Sequence, residues 1–315
     1  MKNRREYLFL YDVTYANPNG DPNDENKPRI DEESGHNIVT DVRLKRTIRD
    51  YLYQYEHQEI FVREIEDEEG HIQDAKTRAK DFLKDKEISK KSFQEQKELI
   101  KKSLLTSCID VRLFGATIPL ELKVGSKKRQ SSITLTGPVQ FNMGESLHKV
   151  KLEFIKGTGA FASDKGKEQK TFREEWILPY SLIAFHGIAN EHAAKTTSLK
   201  EEDLKAMKRG MWIGTKNLIT RSKVGQMPRL LIEVIYKEET LTHIGDLQRF
   251  LSLRSDRNEE ALRSPKDYVV DVGRLIDVLE GEAQKIEKVN YLVDKEVQLN
   301  QEFASEKILF QQMEL

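Results

Sequence analysis

Three polar segments of this 315-residue chain carry residue types that can hold an anionic polymer. The first is Asn17-Pro18-Asn19-Gly20-Asp21-Pro22. Its prolines restrain the backbone and Gly20 permits positive φ, so the chain turns sharply and presents amides and backbone N–H donors. By itself the hexapeptide reads as an ordinary turn. It does not read as a calcium loop. With Asn19, Asp21 and Asn23 as early ligands, the required glycine falls on Asp24 and the closing glutamate on Ile30. The second segment runs from Asp41 to Arg49. Arg43 and Arg46 share one side with Asp50, Lys45 and Arg49 another, and both sides lie off a Leu44/Ile48 stripe. A helix with one buried stripe and four cations outside it can lie along a phosphate backbone, though a soluble surface helix has the same pattern. The third is Thr220-Arg221-Ser222-Lys223-Val224-Gly225-Gln226. Cations, hydroxyls, an amide and a glycine that admits close backbone approach are the parts of a phosphate and sugar cradle.

Patterns for catalysis are mostly missing. The chain has no H-E-x-x-H, no G-x-S-x-G and no G-x-x-x-x-G-K-[ST]. His186 sits in an apolar stretch and reads as a core residue, and His192 follows at a spacing that suits no common zinc motif. Asp12, Asp21 and Asp24 are the candidates for an acidic metal cluster, and they carry the alternative reading, a metal-dependent ribonuclease. The reading adopted here is of no catalytic residue, no bound metal and no cofactor.

The elements that must position these segments follow from periodicity. Tyr7, Phe9, Tyr11 and Val13 alternate with Leu8, Leu10 and Asp12, which predicts a strand from Arg5 to Val13. A turn-rich loop spans Asn17 to Asn37. A helix capped by Thr40 or Asp41 buries Leu44, Ile48, Leu52 and Tyr55. Residues 57–108 read as helical, charged and peripheral. Ser132–Phe141 and Trp176–Ile188 read as further strands, and 142–175 between them as a flexible protruding hairpin or loop. Ser198 and Glu201 form a capping box that opens a helix carrying Leu204, Met207, Met211, Thr215 and Leu218. Arg229–Tyr236 is the fourth strand, and the tail from 240 mixes short helices with strand-like pieces. The order strand, helix, strand, strand, helix, strand gives an α+β fold of the ferredoxin-like or RRM-like kind, with large insertions. Such a sheet is a common RNA platform. The aromatic RNP signature is absent, and the partial likeness in 156–161 falls in the insertion.

Bulk properties narrow the function classes. Hydrophobic residues make up 37% and charged residues 33%, a composition of a folded, charge-rich chain. No apolar run approaches the roughly 18 residues a membrane helix needs, and the first residues show no apolar signal region, so a cytoplasmic protein is expected. Cys108 is the only cysteine, which excludes an internal disulfide and a thiolate cluster. The net charge of −1 argues against a generic nucleic-acid coat. Local charge still decides local potential. Residues 204–232 hold Lys205, Lys208, Arg209, Lys216, Arg221, Lys223 and Arg229 and no acidic residue.

Taken together, these segments resemble one family. Phe9-Leu10-Tyr11-Asp12-Val13, Asn17 to Pro22, Pro28-Arg29-Ile30-Asp31 and Ile38 to Arg46 resemble the Cas-seven backbone subunits of Cascade, the type I CRISPR surveillance complex. Leu135 to Phe141, Pro179-Tyr180 through His186-Gly187, and Arg221-Ser222-Lys223 are similar to the same family. The likeness is nearest to the type I-B branch, then type I-C. It implies an RRM-like palm over 1–56, 109–141 and 176–240, a helical insertion at 57–108, a thumb at 142–175 and a C-terminal extension at 241–315. It also implies a subunit that oligomerises along the guide RNA (crRNA) in antiviral DNA targeting. Positions matching RNA-facing elements are Asn17, Asn19, Arg43, Lys45, Arg46, Arg49, Ser222, Lys223 and Gln226, with Arg221 in the same late loop. The implied partners are crRNA, neighbouring copies of the chain, and the target DNA strand through guide pairing. The other subunits are those that cap the 5′ handle, process crRNA, and form the large and small components. No membrane partner is implied.

Overall fold

A strand with apolar residues on both faces must be covered on both. In the computed structural model, β1 (Arg5–Ala16) buries Tyr7, Phe9, Tyr11 and Val13 on one side and Leu8 and Leu10 on the other. Burying one such side chain contributes about 1.5–3 kcal/mol. The structure describes residues 1–315 apart from 67–69, 84–90, 125–126 and 163–169, and apart from the side chains of 123–127 and 158–173.

After β1 the chain forms the short strands β2 (Gly20–Asp21), β3 (Lys27–Pro28) and β4 (His36–Val39), then helix α1 (Asp41–Gln54). Helices α2 (Ala75–Lys80), α3 (Phe93–Ser107) and α4 (Ile109–Phe114) precede a hairpin of β5 (Gly115–Val124) and β6 (Lys127–Thr136). Strands β7 (Val139–Phe141), β8 (Gly144–Lys149) and β9 (Glu153–Ala162) lead to the 20-residue β10 (Lys170–Ala189). Helices α5 (Glu191–Thr197) and α6 (Glu201–Lys216) then precede β11 (Gln226–Tyr236). The last portion contributes β12 (Ser252–Arg254), β13 (Val269–Asp271), α7 (Gly273–Gly281), β14 (Ile286–Val293) and β15 (Phe310–Gln312).

One large sheet runs β15-β14-β11-β1-β10-β8-β4, with β7 and β9 also pairing with β10. On one face lie α1 and α6, whose Leu44, Ile48, Leu52, Leu204, Met207 and Met211 join the β1 aromatics in one core. The helices approach closely because α6 presents glycine there: a Cβ on Gly214 would fall 2.9 Å from the Tyr51 Cβ. On the other face, Leu247, Tyr268, Val270, Leu275 and Leu279 of the C-terminal portion cover Leu8 and Leu10. A third core joins α2 and α3 to the β5–β6 hairpin through Ile100, Leu104, Ile118, Leu120 and Ile133. No helix among the described residues is long and apolar enough to cross a membrane.

Several sequence expectations need correction. The strand expected over Ser132–Phe141 is two pieces. β6 ends at Thr136 and stays in the β5–β6 hairpin, whereas β7 joins the large sheet opposite Gly187. The break is at Gly137, where an added Cβ would lie 1.9 Å from the Phe114 carbonyl carbon. Tyr55 is not part of the α1 stripe: it is exposed, and Tyr51 fills the buried position. Ser198 opens no helix. It ends α5 with φ +57°, and the Asp203 carboxylate accepts the Lys200 N–H at the start of α6 (3.0 Å). Leu218 lies beyond the α6 end. The loop from 17 to 37 contains the β2–β3 pair and β4, and the stretch 57–66 is not helical. Residues 142–175 hold β8, β9 and the start of β10. The β9–β10 pairing from Ile177↔Glu153 to Lys170↔Ala162 carries the hairpin past the end of β1, which stops opposite Leu178. The hairpin tip at 163–169 lies outside the described residues.

Candidate nucleic-acid interface

The first and third polar segments are joined by backbone. β1 and β11 pair antiparallel as far as Val13↔Gln226. Beyond that point the Thr14 N–H donates to the Gly225 carbonyl (3.0 Å) and the Asn17 N–H to the Ser222 carbonyl (2.9 Å). Gly225 has φ +99°, and a Cβ there would lie 2.5 Å from the Thr14 oxygen, so only glycine allows this approach. The Lys223 ammonium donates to the carbonyls of Asn17 (2.6 Å) and Pro18 (3.0 Å). Burial, and then the nearby Arg43 charge, push Lys223 down to about 8. Two cations from distant parts of the chain are thus held close enough to repel each other.

The second segment is tied to the first. Asn19 Oδ1 accepts from both the backbone N–H and the hydroxyl of Thr40, each at 2.9 Å. The residue that precedes α1 is therefore capped from outside, by a side chain of the early loop. Arg43 follows one turn in and donates to Thr47 Oγ1 (3.3 Å). Burial disfavours its charge. Asn17 Nδ2 donates to the Asn26 carbonyl (2.6 Å), while Asn17 Oδ1 and Gln226 Nε2 are buried with no hydrogen-bond partner among the described residues. A buried orphan of this kind costs about 1–3 kcal/mol unless a ligand or water satisfies it.

Asn17, Asn19, Arg43, Ser222, Lys223 and Gln226 are therefore assembled on adjoining strand ends, one loop and one helix start. Arg221 turns aside to the base of the β9–β10 hairpin, where it pairs with Glu175 (2.6 Å). The remaining cations of α1 do not lie in that group. Lys45 is buried and donates to Asp41 and Gln140, each at 3.0 Å. Arg49 is paired with the fully buried Asp110 (3.1 Å). Arg46 is exposed and bonded to Asp50 (2.7 Å). The expectation of four cations outside the buried stripe is corrected: Lys45 is buried and Arg49 nearly so.

The basic window over 204–232 is also largely neutralised by acids from elsewhere in the chain. Lys208 binds Glu233 (2.5 Å), Arg209 binds Glu56 (2.6 Å), and Arg229 binds Asp12 (2.8 Å) and Asp294 (2.5 Å). Charge counting along the sequence cannot see such cross-chain pairing. The candidate acidic cluster does not assemble as a metal site. Asp12 is wholly buried and accepts from Arg229 and the Tyr180 hydroxyl. Burial pushes its carboxyl above the usual range. Asp24 pairs with Lys27 (2.7 Å) and Asp21 with Arg29 (3.5 Å). Among the described residues, no group of three His, Cys, Asp or Glu is placed to hold a metal. His186 is a buried core residue bonded to Glu6 (2.9 Å).

Sequence reasoning missed the second tie to the hairpin base. Trp176 of β10 donates through Nε1 to Glu25 (3.1 Å), Lys27 lies 5.2 Å from its ring centre, and Phe154 of β9 packs at 4.9 Å. No spacing in the sequence joins position 25 to position 176. It also missed Thr40 as a partner of Asn19, although an N-cap residue after a loop rich in Asn is the signal that finds it.

Known proteins match this chain along nearly its whole length. The family described as CRISPR-associated protein Cas7 matches residues 3–273. A curated protein of Haloferax volcanii, "CRISPR-associated protein Cas7", is 34% identical over 310 residues, covering 95% of this chain and 89% of the relative. Two solved structures share the fold at 12% identity. One, described as "CRISPR RNA-guided surveillance complex, pre-nicking", has a TM-score of 0.56 and covers 99% of this chain and 96% of its own. The other, "CRISPR RNA-guided surveillance complex", has a TM-score of 0.52 and covers 99% and 95%.

Proposed function

The chain belongs to the CRISPR-associated Cas7 family, and from that premise we propose that it is a non-catalytic backbone subunit of a type I-B Cascade complex. It binds crRNA without regard to sequence and polymerises along the guide spacer. The observation that carries this reading is that Lys223, bonded to the Asn17 and Pro18 carbonyls, and the start of α1 that carries Arg43, tied to Asn19 through Thr40, meet at one loop. A guide differs from spacer to spacer, so its holder must grip sugar-phosphate and leave base edges free to pair. The partly desolvated Lys223 ammonium, the Arg43 guanidinium and the buried orphan atoms of Asn17 and Gln226 suit that task. Arg46, on the same side of α1, extends the path. Lys45 and Arg49 act by fixing the helix.

The order β11-β1-β10, with short β7 beyond β10 and α1 and α6 on one face, supports a ferredoxin-like palm. In this reading the palm comprises 1–56, 109–141 and 176–240, and 57–108 is a peripheral helical insertion. The 142–175 segment, prolonged past β1 by the β9–β10 hairpin, is a thumb that reaches over a neighbouring copy, and 241–315 is an extension packed on the palm. A neutral body with one cationic groove lets identical subunits stack without strong repulsion. Head-to-tail contacts that do not close generate a helical filament. Capping, processing, large and small subunits would complete a cytoplasmic assembly that pairs the guide with target DNA. The ribonuclease alternative, on Asp12, Asp21 or Asp24, is disfavoured because Asp12 is sealed beneath Arg229 and Tyr180 while Asp21 and Asp24 are paired with Arg29 and Lys27.

The test is expression of the full chain alone. The proposal expects co-purifying RNA of mixed sequence and a ladder of oligomers. RNA-free protein, or magnesium-dependent RNA cleavage lost in an Asp21→Ala or Asp24→Ala variant, contradicts it.

A further inference from the structure

Tyr15 occupies a backbone conformation that does not suit it. It lies in the left-handed region, φ +48°, which bulky side chains seldom adopt. Its neighbour strand explains the distortion. The β1–β10 ladder passes from Thr14↔Tyr180 to Ala16↔Leu178, so Tyr15 stands across from Pro179, which has no N–H to donate. On the other edge, Thr14 and Asn17 bond to Gly225 and Ser222, leaving Tyr15 and Ala16 in a gap facing Lys223 and Val224. Glycine or asparagine fits such a backbone better.

Nothing among the described residues repays the tyrosine. It is 59% exposed, and among the described residues no hydrogen bond or ring contact holds its side chain. Backbone strain kept without internal compensation points toward function. The residue lies between two assembled cradle groups: the Asn17 backbone two residues on, and Lys223 across the gap.

We propose that Tyr15 is a stacking platform for one base of the strand whose phosphates occupy the Lys223–Arg43 cradle. This deepens the RNA-holding reading and rests on it. Stacking on a ring is blind to sequence, because every base has a π face. It therefore adds affinity and fixes where along each bound stretch a base is parked, without reading that base. The cations beside the ring favour a nucleobase over a second protein as its occupant.

The full-length chain is titrated with a fluorescent RNA oligomer and with an abasic strand of equal length. Tyr15→Asn, which suits the left-handed backbone and so keeps the fold, is expected to weaken RNA binding about tenfold. It is expected to leave the abasic strand nearly untouched, and Tyr15→Phe is expected to rescue RNA binding. Lys223→Met, as the cradle control, is expected to weaken both ligands. If Tyr15→Asn binds RNA like the parent while Lys223→Met weakens both, the stacking role is wrong and the cradle stands. Equal loss on both ligands makes Tyr15 merely structural and also overturns the proposal. A change in self-association with RNA affinity unaltered assigns the ring to a second copy instead. If Lys223→Met affects neither ligand, the RNA-holding reading itself fails.

Discussion

Arg221 reaches Glu175 at 2.6 Å, so the late loop is pinned to the base of the long hairpin by an ion pair. The pair is exposed, and pairs of this kind contribute about 0.2–1 kcal/mol. It also places a negative charge beside the proposed phosphate path. Glu175→Gln should therefore raise RNA affinity, by roughly two- to fivefold at low salt. The gain should shrink as salt is added. Titrations at two ionic strengths check this, and an unchanged or lowered affinity would count against a phosphate path next to Arg221.

The Lys223 ammonium is pushed down to about 8 by burial and by Arg43. A bound phosphate favours the charged form and raises its pKa, so RNA affinity should hold up to about pH 8 and fall above it. Stability should move the other way. The unfolded lysine keeps its proton to about 10.4. Between about 8 and that value the folded chain has already shed the proton, so the unfolded state binds more protons and stability rises with pH. Lys223→Met should remove both trends. Thermal melts and titrations over that pH range measure them.

Arg43 and Arg49 sit on one helix and should behave differently. Arg49 neutralises the buried Asp110, which also accepts the Phe61 (2.8 Å) and Val62 (3.0 Å) N–H groups. Arg49→Ala should cost about 3 kcal/mol of stability and leave the salt dependence of RNA binding unchanged. Arg43→Ala should cost little stability and flatten that dependence. Urea melts paired with salt titrations separate the two.

Asn19 holds the start of α1 through Thr40. Asn19→Ala removes two hydrogen bonds and should cost about 1–2 kcal/mol. RNA affinity should fall too, because Arg43 is carried on that turn. Asn19→Asp, which keeps the acceptor, should retain most of the stability, and chemical denaturation checks both variants.

Much of this arrangement was legible in the sequence, because it is local. Alternation gave β1, the largely apolar run Arg229–Tyr236 gave β11, helical spacing gave α1 and α6, and the Asn-Pro-Asn-Gly loop announced a turn with donors and acceptors. Which cations reach solvent was not legible. Lys45, Arg49, Lys208 and Arg229 look like parts of a basic surface until their carboxylate partners, 4 to 217 residues away, are brought to them by the fold. The break at Gly137 was hidden for a related reason: the strand pattern continues through it, and only the crossing of Phe114 forbids a side chain there. Tyr15 went unnoticed because it falls between the expected strand, which ends at Val13, and the loop that begins at Asn17, and the register that sets Pro179 across from it exists only in the folded sheet.

The central claim is that early-helix and late-loop cations grip sugar-phosphate without reading bases, and salt dependence tests it most directly. Log affinity is plotted against log salt for two RNAs of unrelated sequence, with the parent chain, Arg43→Ala and Lys223→Met. The account predicts one common slope for both RNAs, flattened by about 0.7 for each cation removed, equally on the two sequences. Slopes that differ between the sequences, or that neither substitution changes, would contradict it.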